Sequence, residues 1–249
     1  MYFCFIKDML QKTKAIVLHS LKYGDSSLII DLLTEEEGRL TFIVRLPKTP
    51  KGKIKKQYFQ PMTLLDIAFD FRPHASMQRI KDIRIDIPFA TIPFDPIKSS
   101  ILLFISEFLL YITRSEQYNK ALYQFVAKSV EWLDTATDHF ANFHLTFMLH
   151  LSKFIGFHPN LSEATPYAFF DLRNAEFCHQ IPLHTDYLKP NEANIVLKLF
   201  RMNYESMHLF RFSREERNYI TEIILRYYTL HIPSMPTLNS FAILKEIFE

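Results

Sequence analysis

Apolar residues alternate with polar ones along the first third of the chain and recur at helical spacing along the rest. Residues 13 to 20, 27 to 34 and 38 to 44 are short runs rich in Ile, Leu, Val and Thr. Tyr23-Gly24-Asp25-Ser26 and Glu36-Glu37-Gly38 separate them, as expected for an antiparallel meander. Leu65, Ile67, Phe69 and Phe71 then alternate with Asp66, Ala68 and Asp70, and Ile83, Ile85 and Ile87 with Asp82, Arg84 and Asp86. A period of two marks half-buried strands. Short strands so closely spaced predict a small β-barrel of the OB type, with an SH3-like barrel as the alternative.

Past Pro88 the period changes. Asp95-Pro96 makes an N-cap and first-turn pair, and Ile97, Ile101, Ile105, Phe108 and Ile112 follow at helical spacing. Similar patterns predict helices over 120–133 and 141–155, the second stopped by Gly156 and Pro159. Residues 157–190, rich in Pro, His, Asn and Thr, read as irregular, with a short hairpin around Phe169-Phe170-Asp171-Leu172. Helices resume over 192–201, from the capping box Ser213/Glu216 to about His231, and over 239–248. The expected fold class is α+β and multidomain. An OB-fold nucleic-acid-binding barrel covers 1–85, and a mainly α-helical domain covers 86–249, with an irregular insertion at about 157–190.

Charge sharpens this picture. Residues 1 to 80 carry 13 Lys or Arg and 8 Asp or Glu, against 16 and 19 in the remainder, so the barrel is the basic part. From Gly38 to Lys56 the cations Arg39, Arg45, Lys48, Lys51, Lys53, Lys55 and Lys56 occur with no carboxylate among them. Phosphates would satisfy such a run. Pro47, Pro50 and Gly52 make much of it a loop. Beside Tyr58 and Phe59 it has the two parts of a single-strand groove, cations for phosphates and rings for bases. The plain alternatives are a solvated loop and two core aromatics. Arg72, Arg79, Lys81 and Arg84 either extend the surface or form the wet face of a sheet, and Glu35, Glu36 and Glu37 read as a solvated hairpin end.

Other chemistries find little support. Two cysteines, Cys4 and Cys178, with no CxxC, fit a reducing cytoplasmic setting and no zinc. The chain has ten histidines but no HExxH, no GxSxG and no phosphate-cradling glycine loop, so neither a catalytic role nor a cofactor is expected. A carboxylate-metal nuclease ranks last. The apolar segment 97–112 is interrupted by Lys98, Ser99, Ser100, Ser106 and Glu107 and falls short of a membrane span. The opening MYFCFIKDML does not read as a signal peptide, and since the regular pattern begins near Lys12, Met1 and Met9 are both open as the start.

The stretch KAIVLHSLKYGDSSLIIDLLTEEEGRLTFIV, continued by QYFQPMTLLDI, resembles the amino-terminal domain of the RecO family of bacterial DNA repair proteins. FISEFLLYI, FMLHLSKFIGFHP and PLHTDYL are similar to that family's helical half. The resemblance implies an OB-fold followed by a helical domain, with a non-enzymatic role in recombinational repair. That role comprises binding single- and double-stranded DNA, annealing complementary strands and helping to load RecA. The implied partners are RecR and the single-strand binding protein, whose acidic, phenylalanine-ended C-terminal tail docks in the helical domain. Lys128, Lys153, Arg201 and Arg211 are candidates for that pocket by charge alone. This sequence departs from the family where a four-cysteine zinc site is common, retaining only Cys178 with His179 and His184 nearby. It departs again where a Gly-Ala-Arg type of sequence is replaced by Leu46-Pro47-Lys48. The expected DNA contacts are Arg39, Arg45, Lys48, Lys51, Lys53, Lys55, Lys56, Tyr58, Arg72 and Arg79. Two rivals are an RNA-binding OB module and a helical interaction scaffold with an incidental basic loop.

Overall fold

The computed structural model describes residues 9–47, 54–114 and 118–247. Five strands close a barrel: β1 (Met9–Tyr23), β2 (Ser27–Thr34), β3 (Gly38–Arg45), β4 (Leu64–Phe71) and β5 (Gln78–Ile87), in the order β1-β2-β3-β5-β4. The OB-like expectation holds. All pairings are antiparallel except β3 with β5, a parallel contact of only two pairs, Phe42 with Gln78 and Ile43 with Arg79.

The turns follow from the sequence. Gly24 and Gly38 take φ of 63° and 70°, which costs a glycine little. The Thr34 hydroxyl accepts from Glu37 N at 3.1 Å and donates to the Gly38 carbonyl at 2.7 Å, locking the acidic hairpin end. Val17, Ile30, Phe42, Ile67 and Phe69 fill the barrel, with Phe42 and Phe69 edge to face at 5.2 Å.

Six helices follow in the described residues: α1 (Pro96–Ile112), α2 (Lys120–Thr135), α3 (Phe143–Leu151), α4 (Pro190–Leu199), α5 (Arg214–His231) and α6 (Asn239–Ile247). Asp95 accepts from the amides of Ile97 and Lys98 at 2.9 and 3.1 Å, the expected cap. Ser213 and Glu216 make the expected capping box, with Glu216 N to Ser213 Oγ at 3.1 Å and Ser213 N to Glu216 Oε2 at 2.8 Å. α3 is shorter than the expected 141–155. After Leu151 the amides of Lys153 and Phe154 turn back to carbonyls three residues earlier, and the segment ends on Gly156 at φ 87°.

The chain divides into two compact units. One holds the barrel with Leu102–Val130, and the other holds Phe94–Ile101 with the chain from Glu131 onward. Within the first, the Ser106 hydroxyl donates to the Leu18 carbonyl, and Lys120 lies 3.6 Å from Glu35 and 3.3 Å from Glu36. The acidic hairpin end is therefore partly engaged by α2 rather than simply solvated. Within the second, the supposedly irregular insertion contains a three-stranded sheet of β6 (Phe169–Asp171), β7 (Glu176–Cys178) and β8 (Tyr187–Leu188), ordered β7-β6-β8.

Candidate nucleic-acid interface

Two groups of barrel cations differ in their surroundings. In the first, on β1 and β5, Lys14 is paired with Asp86 at 2.9 Å, Lys81 with Asp70 at 2.8 Å, and Arg84 with Asp66. These partners raise the pKa values of Lys14 and Arg84. A phosphate arriving there would have to displace a carboxylate.

The second group surrounds the seam between β3 and β5. Beyond their two-pair ladder the strands separate, leaving a groove of ≈ 410 Å³ lined by Ser27, Ile43, Arg45, Ile54, Arg79 and Ile80, with Val44 behind. Arg45 and Arg79 are exposed, and neither makes an ion pair within the described residues. Among the described residues no carboxylate lines the groove. Ile54 leads into the exposed Lys55 and Lys56, at the head of a 3-10 turn over Lys56–Phe59.

The expected contacts thus separate. Arg45, Lys55, Lys56 and Arg79 are open cations at or beside one groove. Lys48, Lys51 and Lys53 lie outside the described residues, as does Cys4. Arg39 is engaged elsewhere: its side chain is 19% exposed and donates to the Leu110 carbonyl and to Asp31. Tyr58 is half-buried against the barrel core and Phe59 lies in it. Arg72 is exposed in the β4–β5 turn, where its amide donates to Gln78 Oε1 at 3.0 Å and its carbonyl accepts from Gln78 Nε2 at 2.9 Å. Lys128, Lys153, Arg201 and Arg211 are exposed. The groove floor of Ile43, Ile54 and Ile80 was not singled out in the sequence. Its signal was present in β2 and β3, where apolar residues occupy both parities and so leave some outside the core.

Comparison with known proteins extends this picture. Residues 9–88 match the family model described as "Recombination protein O N terminal", and residues 93–239 match "Recombination protein O C terminal". The chain belongs to the RecO family. It is 46% identical over 242 residues to DNA repair protein RecO of Bacteroides fragilis, covering 97% of this chain and 100% of that one. It is 45% identical to DNA repair protein RecO of Phocaeicola vulgatus (96% and 100% covered), and 34% identical to that of Flavobacterium psychrophilum (95% and 98%). The RecO barrel and helical region are thus both present, and the family is one of DNA repair proteins. Among the described residues no helix is long and apolar enough to cross a membrane.

The zinc site that the family resemblance suggests does not fit the donors of this chain. Among the described residues no three His, Cys, Asp or Glu side chains converge as a metal set. The Cys178 thiol donates to the Gln180 carbonyl at 3.3 Å, and burial raises its pKa. His179 lies 3.7 Å from Glu163. His184 accepts the Asp186 amide on Nδ1 and therefore presents a protonated Nε2 to Asp171, each at 3.2 Å.

Proposed function

We propose that this protein is a recombination mediator that binds single- and double-stranded DNA through the β3–β5 groove, anneals complementary strands and helps load RecA with RecR. The observation that carries the reading is the pair Arg45 and Arg79, exposed cations on a groove whose described lining holds no carboxylate. Phosphates supply the missing charge and release counterions as they bind. A cationic surface also lowers repulsion between two phosphate chains while leaving base edges free to pair, which is what annealing requires. Lys55 and Lys56 extend this surface, with Lys48, Lys51 and Lys53 as further contacts and Tyr58 and Arg72 in lesser roles, while Arg39 holds the barrel wall instead. The role is non-enzymatic and cytoplasmic. The helical domain, taken to begin at residue 86, is the seat of the tail of the single-strand binding protein.

The test is fluorescence anisotropy of a labelled DNA strand across a salt series. R45A/R79A should weaken binding and reduce the log–log salt slope by about 2, one for each phosphate that an arginine no longer neutralises. An unchanged slope would move the DNA elsewhere. Competition with an RNA strand of equal length separates DNA from RNA binding, since only a 2′-OH contact tells them apart.

A further inference from the structure

The outer face of the barrel carries an apolar ladder leading to the groove. In β1 the register shifts between Val17 and His19, making Leu18 an extra residue. Ala15 and Val17 lie in the core, whereas His19, Leu21 and Tyr23 fall opposite Asp31, Ile29 and Ser27. A one-residue slip of this kind moves the following side chains to the other face. Because Leu28, Ile30, Phe42 and Val44 fill the core, their neighbours Ile29, Ile43 and Arg45 stand outside.

Two rows result. Leu21 pairs with Ile29, Ile29 with Ile43, and Ile43 with Arg79, giving a continuous row across β1, β2, β3 and β5. The next row is Tyr23, Ser27 and Arg45. Three strand spacings make the longer row about 14 Å. Leu21 and Tyr23 are each 55% exposed, so this face presents aliphatic and aromatic surface to water without serving the core on the opposite side.

We propose that the ladder is a base-contacting platform for single-stranded DNA, with Tyr23 as the stacking ring and Arg45 and Arg79 holding phosphates at its far side. This rests on the DNA-binding reading above and adds a division of labour between strand types. The occupant must match an apolar row and a cationic end together. A single strand offers both, because its unpaired bases are free to stack on a protein ring and its backbone is anionic. A duplex keeps its base faces inside and meets the protein chiefly through phosphates. Duplex binding therefore depends on the cations without the ladder, and single-strand binding on cations and ladder together.

Both ladder positions chosen for substitution are exposed, so L21S/Y23A should retain the wild-type melting temperature. Anisotropy with a single strand and an equally long duplex should show about tenfold weaker single-strand binding, with duplex binding unchanged. The salt slope should stay as in the wild type, and Y23F should keep single-strand affinity because the ring remains. Equal loss on both substrates, or no loss on either, would make the groove a general polyanion site and overturn the platform. Failure of the wild-type protein to bind either substrate would instead overturn the DNA-binding reading itself.

Discussion

Arg39 on β3 donates through Nη1 to the Leu110 carbonyl of α1 at 2.6 Å, and through Nη2 to Asp31 at 3.2 Å. The Thr41 hydroxyl donates to the same Asp31 oxygen at 2.7 Å. The guanidinium fastens the end of a helix to the barrel wall. Arg39→Ala would leave that carbonyl and part of the carboxylate without donors, at a cost of about 1–3 kcal/mol in urea unfolding. Arg39→Lys should recover only part, because one ammonium does not reproduce the fork. The salt slope of DNA binding should be unaffected, in contrast to R45A/R79A.

Lys98 performs a similar task in the other unit. It is 2% exposed, and its ammonium donates to the Ala136 carbonyl at 2.5 Å and the Asp134 carbonyl at 3.3 Å, with the Phe140 ring centroid 5.2 Å away. It thus satisfies the carbonyl end of α2, where a cation also complements the helix dipole. Lys98→Met keeps the stem and removes the donor. Chemical denaturation should show a loss of about 1–3 kcal/mol, and a variant as stable as wild type would mean that water replaces the ammonium.

Regular elements were legible because they are encoded locally. Strand alternation located β2 to within a residue, and Ser213 with Glu216 marked the start of α5. What escaped depends on distant partners or a change of parity. Arg39 sat in an unbroken cationic run, yet its acceptor is 71 residues away. Lys98 read as a polar interruption of an apolar segment, although its own burial explains it. Tyr23 and Leu21 share the parity of Val17 in sequence, and only the extra residue at Leu18 turns them outward.

The Asp171 turn predicts insensitivity to metal removal. Asp171 is 5% exposed and accepts from the amides of Arg173 and Asn174 at 2.8 and 3.1 Å, from Asn174 Nδ2 at 2.9 Å and from His184. Burial works to raise its pKa, but the backbone donors Asn174 and Arg173 prevail and hold it below the usual carboxylate range. These contacts close the β6–β7 hairpin without a metal. A chelator should leave the melting temperature unchanged, whereas Asp171→Ala should accelerate amide exchange at Arg173 and Asn174. A chelator-induced drop would show that a metal contributes after all.

Acid should destabilise the helical unit through His144. This ring is fully buried, and burial, followed by the charge of Arg217, lowers its pKa to about 3. Thr221 uses its hydroxyl proton on the Arg217 carbonyl at 2.8 Å, so its oxygen accepts from His144 Nε2 at 3.2 Å and the ring is neutral. The unfolded chain takes up this proton near pH 6.5, whereas the folded one resists until about pH 3. The stabilising contribution is therefore complete above pH 6.5 and falls by about 1.4 kcal/mol per unit as pH drops through that window. Between pH 7.5 and 5 the loss from His144 alone is about 2 kcal/mol. The pKa values of His150 and His158 are also lowered, chiefly by burial, and act in the same direction. Asp171, whose folded pKa is depressed, stabilises the fold above its ordinary carboxylate pKa and adds to the acid loss only as pH falls below it. Urea midpoints at the two pH values should therefore converge in His144→Gln relative to wild type, and an identical gap in both proteins would place the acid sensitivity elsewhere.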